Sequence, residues 1–120
     1  MLVLVPTRED VLAIQSIEEA FDLSTRRVTK REVGLVRVAE REGLIKLTGH
    51  ADDAIDDEAI PEELVWHTIR CGRARSKDND ELNGRQIGIN FESVGDRSLI
   101  RLRVKVSWGL RYFIATVHTL

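Results

Sequence analysis

Seven polar side chains of this 120-residue chain have the chemistry of a reaction centre, and six of them fall in its last twenty residues. Imidazole titrates near neutral pH, so His50 and His118 are the candidates for moving a proton as general acid or base. Arg101, Arg103 and Lys105 alternate with apolar residues and would present one row of positive charge along a strand. By the same period of two, Tyr112, Ile114, Thr116 and His118 share a face, which would lie beside the basic row. Each has a plainer use. His50 can hydrogen-bond at a strand-to-helix junction, and a basic strand face can be solvated or pair with acids elsewhere in the chain. His67 reads as a surface residue and Trp66 as packing. Three histidines and the single Cys71 show no HxxxH or CxxC spacing, so no metal is expected. No glycine-rich phosphate loop or GxSxG turn is present, and no cofactor is expected.

Periodicity gives the elements that must position these residues. Residues 44–48 alternate as a strand, and His50 opens a helical segment after Gly49. Ile60-Pro61-Glu62-Glu63 reads as a fresh helix start, with Pro61 suited to the first helical position and two acids at the positive end of the dipole. Leu64, Val65, Thr68 and Ile69 then share one face, and Gly72 is placed for a left-handed C-terminal cap. Residues 73–84 (RARSKDNDELNG) read as a loop. Strands are expected over 85–92, 98–108 and 111–119, with connections short enough for hairpins. In the middle strand Ile100, Leu102, Val104, Val106 and Trp108 point one way, Arg101, Arg103, Lys105 and Ser107 the other. The predicted fold is α+β: two or three helices packed on an antiparallel sheet with a C-terminal three-strand meander. The helices should cover the apolar face and leave the basic row on the opposite side.

Upstream, residues 2–5 read as a short strand stopped by Pro6. Thr7 then caps a helix whose stripe is Ala13, Ile14, Ile17 and Phe21. Residues 24–43 admit two readings. Thr29 and Glu32 have capping-box spacing and Gly43 could end a helix, yet the β-branched run 33–38 also suits a hairpin of 32–39 with 44–48. The helix is preferred. Residues 28–40 also look like the first helix of a LuxR-type helix-turn-helix. A DNA reader needs a second helix in the major groove, however, and a strand pattern with an acidic segment follows instead.

The order strand, His50-Ala51, short acidic helix, Ile60-Pro61, second helix, Gly72, and a meander ending Ile114-Ala115-Thr116-Val117-His118 resembles the DUF4258 family. These are small bacterial and archaeal domains placed near the BrnT and RelE-like ribonuclease toxins. The resemblance covers roughly residues 44–120 of a single domain, leaving 1–43 as an N-terminal extension, and is matched individually at His50-Ala51, Ile60, Gly72 and Thr116. It implies a metal-independent endoribonuclease of a toxin–antitoxin pair, or a relative that has lost activity. Its catalytic residues would be His50, Arg101, Arg103 and His118, with Lys105, Tyr112 and Thr116 binding substrate. The basic groups would stabilise charge on a pentavalent phosphate. RNA and an antitoxin protein would be the partners. Many members carry an Arg shortly before the Ile; here Asp56, Asp57, Glu58 and Ala59 occupy that stretch. A reading from another class is a non-catalytic interaction module, docking through Trp66, Trp108 or a free sheet edge. DNA binding through residues 24–43 comes third.

Composition bounds these readings. With 42% apolar and 32% charged residues the chain is an ordinary globular domain with one core rather than a disordered segment. Net charge is only −2, but residues 50–63 hold seven acids and no Lys or Arg, so charge is segregated along the chain. One cysteine forbids an internal disulfide, and no apolar run approaches the roughly 20 residues of a membrane span. A cytoplasmic protein is expected, with no membrane partner and with homo-oligomers left open.

Overall fold

The computed structural model describes residues 5–94 and 100–120. The strand expected over 2–5 (Val5 apart) and the first two residues of that expected over 98–108 lie outside the described residues.

Two short helices replace the one expected at the start. Thr7 caps α1 (Arg8–Leu12): its hydroxyl accepts the Asp10 N–H while the Asp10 carboxylate accepts the Thr7 N–H. Ser16 then caps a separate turn, α2 (Ile17–Ala20), by accepting the Glu19 N–H. A second hydroxyl satisfying free N–H groups lets the chain begin a new helix rather than extend the first. Ile14, Ala20 and Phe21 are buried, whereas Ala13, part of the expected stripe, is exposed.

The preferred reading of the next segment holds. Residues Lys30–Arg41 form α3, entered through a reciprocal Thr29–Glu32 capping box. The helix buries Leu35, Val36, Val38 and Ala39, and Gly43, at φ 69°, turns the chain into β1 (Ile45–Leu47). α3 is thus a core helix followed by a strand, without the second helix of a DNA-reading pair.

Thr48 caps α4 (Gly49–Asp57); its hydroxyl accepts the Ala51 N–H and donates to the Ile114 carbonyl at 2.7 Å. Pro61 is the N-cap, not the first residue, of α5 (Glu62–Cys71). Gly72 is not left-handed: it is extended, at φ −76° and ψ −179°. Glycine is required there for space, because a β-carbon would run into the carbonyl oxygens of Thr68 and Glu92.

The chain passes directly from α5 into β2 (Arg73–Asp78), where a loop was expected. RARSKD looks like a loop because it is an edge strand that sinks only Lys77 fully into the protein. β3 (Gly88–Glu92), β4 (Leu102–Trp108) and β5 (Tyr112–Thr119) form the expected meander. The sheet order is β1-β5-β4-β3-β2, antiparallel throughout except that β1 runs parallel to β5. The fold is α+β, with helices packed against one face of a five-stranded sheet.

That face is the core: Ile89, Phe91, Leu102, Val104, Val106 and Ile114 are fully buried. Two polar anchors fix the helices to it. Arg37 of α3 lies 6.0 Å over the Phe91 ring and donates to the carbonyls of Ile69 (3.2 Å) and Gly72 (2.7 Å). Lys77 of β2 donates to both Glu32 carboxylate oxygens, at 3.0 and 2.9 Å, and to the Asp22 carbonyl at 2.7 Å. Among the described residues, no helix is long and apolar enough to cross a membrane.

Candidate functional site on the open sheet face

Cross-strand register decides which of the chemically capable residues meet. β4 and β5 pair Arg103 with His118 and Lys105 with Thr116, but the next pair is Val106 with Ile114. Ala115 is therefore an extra residue, a β-bulge that shifts the alternation of β5 by one. Below the bulge Thr116 and His118 face away from the helices, beside Lys105 and Arg103. Above it Tyr112 and Ile114 turn into the core, and Phe113 takes the outer face opposite Ser107 and Lys46.

The expectation that Tyr112 lines the site with Thr116 and His118 is overturned by that one residue. Tyr112 is 1% exposed, its ring meets Phe21 edge-on at 6.0 Å, and burial raises the pKa of its phenol. It is a core residue.

The outer face is organised in rows across the strands. One row carries Arg73, Glu92, Arg103 and His118; the next Ser76, Asn90, Lys105 and Thr116; the third Asp78, Gly88, Ser107 and Phe113. Arg101 precedes β4 and, by alternation, falls on the same side. Arg73, Arg101, Arg103 and His118 are exposed. Glu92 accepts two hydrogen bonds from the Arg103 guanidinium, at 3.1 and 2.9 Å, and lies 3.7 Å from Arg75. Lys105, expected to stand open, is only 8% exposed, and its ammonium lies 2.9 Å from Asp78.

Partial burial is the largest single influence on Asp78 and raises its pKa. Hydrogen bonds from Lys105 and Asn90, with the charges of Lys105 and Arg85, together outweigh it and hold the carboxyl below its ordinary value. The basic face is thus partly neutralised by two carboxylates from neighbouring strands. The acidic run is not involved: its seven acids are all exposed, and its one ion pair among the described residues joins Glu63 to Arg70 within α5.

His50 is exposed in the first turn of α4, which the Thr48 bond to Ile114 fastens to the β5 edge of the sheet. Among the described residues its imidazole makes no hydrogen bond or ion pair, and the same holds for His118. The structure therefore gathers Arg103, Lys105, Thr116 and His118 into one patch, sets Arg101 beside it, leaves His50 on α4 two residues past the Thr48 bond to Ile114, and removes Tyr112. His67 is exposed, as expected. Among the described residues no three His, Cys, Asp or Glu side chains come together as metal ligands.

Sequence reasoning missed Phe113, Asn90, Glu92 and Asp78. Only Asn90 and Glu92 had a visible signal, because both follow the alternation of their strand. The others depend on the bulge or on β2 being a strand.

No protein-family model, curated protein or solved structure matches the chain.

Proposed function

We propose that the chain is a RelE/BrnT-like protein that binds RNA on the open sheet face, and that His118 and Arg103 form the centre of an endoribonuclease site. The observation that supports this reading is their direct cross-strand pairing, away from the helices and among exposed guanidinium groups. In such a site the neutral imidazole of His118 takes the proton of a ribose 2′-hydroxyl as its oxygen attacks the adjacent phosphorus. Arg103 and Arg101 balance the charge that develops on the phosphoryl oxygens. The bond to the 5′-oxygen breaks, and that oxygen takes a proton from a protonated imidazole, for which the exposed His50 of α4 is the candidate. The products are a 2′,3′-cyclic phosphate and a free 5′-hydroxyl. Thr116 and Lys105 position the backbone. A cytoplasmic site of action and an antitoxin covering this face belong to the same reading.

The test is twofold. Inducing the wild-type chain in a bacterium should slow growth, and the purified protein should cleave RNA; His118→Ala and Arg103→Ala should abolish both while melting normally. A folded wild-type chain that neither slows growth nor cuts RNA removes the catalytic reading. One observation favours the non-catalytic alternative, an interaction module: Glu92 and Asp78 already engage Arg103 and Lys105. Edge-strand docking at β2 is disfavoured, because that edge is charged and bulged at Ala74/Ser76.

A further inference from the structure

Building on the RNA reading, we infer that the open face takes single-stranded rather than duplex RNA, with Phe113 as the platform on which one base stacks. Phe113 is half-buried and is the aromatic ring that β5 sends to the outer face, put there by the Ala115 bulge. Its row neighbours are the exposed Lys46 on β1 and the small, buried Ser107 on β4, and the ring lies beside Gly109, where a β-carbon would come within 3.4 Å of it. Along the same strand, five residues on, stands His118 beside Arg103. At about 3.3 Å per residue this places the ring roughly 15 Å from the imidazole, with Lys105 and Thr116 between them. A partly exposed aromatic ring on a face that also carries exposed guanidinium groups is an arrangement that holds unpaired bases, whose faces are free to stack while the phosphates meet the cations. A duplex keeps its bases stacked on one another and offers Phe113 nothing but backbone.

The experiment measures fluorescence anisotropy at low salt with a labelled uridine dodecamer carrying 2′-O-methyl groups, which cannot be cut, alone and annealed to its complement. The wild-type chain should bind the single strand at least tenfold more tightly than the duplex. Phe113→Leu, which keeps an apolar side chain against the sheet, should weaken single-strand binding about tenfold and leave duplex binding unchanged. Phe113→Trp should retain affinity, and its fluorescence should fall on binding as a base covers the indole. Should Phe113→Leu fail to fold, the Phe113→Trp quenching decides: no change in fluorescence at saturating RNA overturns the proposal. Equal affinity for strand and duplex, or wild-type affinity in a folded Phe113→Leu, overturns it too, even where Arg103→Ala weakens both and the RNA face itself stands. If the wild-type chain binds neither RNA, the RNA reading and the stacking proposal fall together.

Discussion

Replacing Lys77 by methionine should cost more stability than any other single change on β2. The ammonium is sealed from solvent, with side-chain exposures of 0% for Lys77 and 1% for Glu32. Glu32 is also the capping residue of α3: its carboxylate accepts the N–H groups of Thr29 at 2.7 Å and Asp22 at 2.9 Å. With Lys77 bound at both oxygens, four donors meet one buried carboxylate, and the three hydrogen bonds from Lys77 use all of its protons. Lys77→Met leaves that charge with two backbone donors and no cation. Breaking one side of a buried pair costs about 3–5 kcal/mol, against a total stability of about 5–15 kcal/mol for a domain. At about 4 °C per kcal/mol for a chain of this size, the melting temperature should fall by about 12–20 °C. Urea unfolding followed by tryptophan fluorescence, with circular dichroism melts, gives both quantities. Adding Glu32→Gln to Lys77→Met should recover part of the loss, because the remaining amide oxygen can still accept a backbone N–H without an uncompensated charge. A Lys77→Met chain within about 1 kcal/mol of wild type would refute the reasoning, since so small a loss means the carboxylate is reaching water.

Three further outcomes follow from single features. The Tyr112 hydroxyl is buried without a hydrogen-bond partner among the described residues, so Tyr112→Phe should be neutral or stabilising by up to about 1 kcal/mol in urea unfolding. Gly72→Ala should destabilise by about 3 kcal/mol in the same assay, because the new methyl group meets two carbonyl oxygens of fixed backbone. The folded-state pKa of Asp78 lies below the ordinary 3.8, so its contribution is present above that value and is lost as pH falls through the lowered one. Melting temperatures recorded between pH 5 and pH 2 should therefore fall less steeply for Asp78→Asn than for wild type, and parallel curves would count against the Lys105–Asp78 pair.

The fold was legible wherever local chemistry and burial agree. The Thr29–Glu32 box announces α3, and the alternation of Leu102, Val104 and Val106 announces β4, because each pattern is produced by the packing it predicts. Two failures share a cause. β2 reads as a loop because its one fully buried residue is a lysine, and a lysine is acceptable there only because Glu32, 45 positions earlier, is waiting for it. The N-terminal helix reads as continuous because apolar spacing runs through residues 13–16, while the competing cap at Ser16 is a single hydroxyl. For the site, period-2 counting placed Arg103 correctly and Tyr112 wrongly. A bulge leaves no mark in β5 itself, since Ala115 is unremarkable as a strand residue. It is defined only by the register against β4.

The same bulge decides what kind of face the sheet can offer. Without it, strict alternation would put His118 and Tyr112 on one side together, and a phenol would stand where the structure has a phenyl ring. With it, the hydroxyl goes to the core and finds no partner among the described residues, while the outer surface gains a purely apolar ring at the far end of the strand from His118. A bulge that leaves a buried phenol unsatisfied and exposes part of an aromatic ring lowers stability on both counts. Bulges concentrate where a sheet must re-aim side chains, and here the re-aiming divides the face into two zones. The Arg73–Glu92–Arg103–His118 row has more cation than anion, counting Arg75 and Arg101 beside it. The Phe113 row has one exposed lysine and one partly buried carboxylate. In the proposed site a polyanion meets Arg73 and Arg101 first, since Glu92 holds Arg103, and a phosphate on His118 must displace that carboxylate to engage Arg103. Glu92 therefore acts as an internal competitor on the very side chain that the proposed chemistry needs. On the proposed function, RNA affinity and occupancy of the Arg103–Glu92 pair are two sides of one equilibrium.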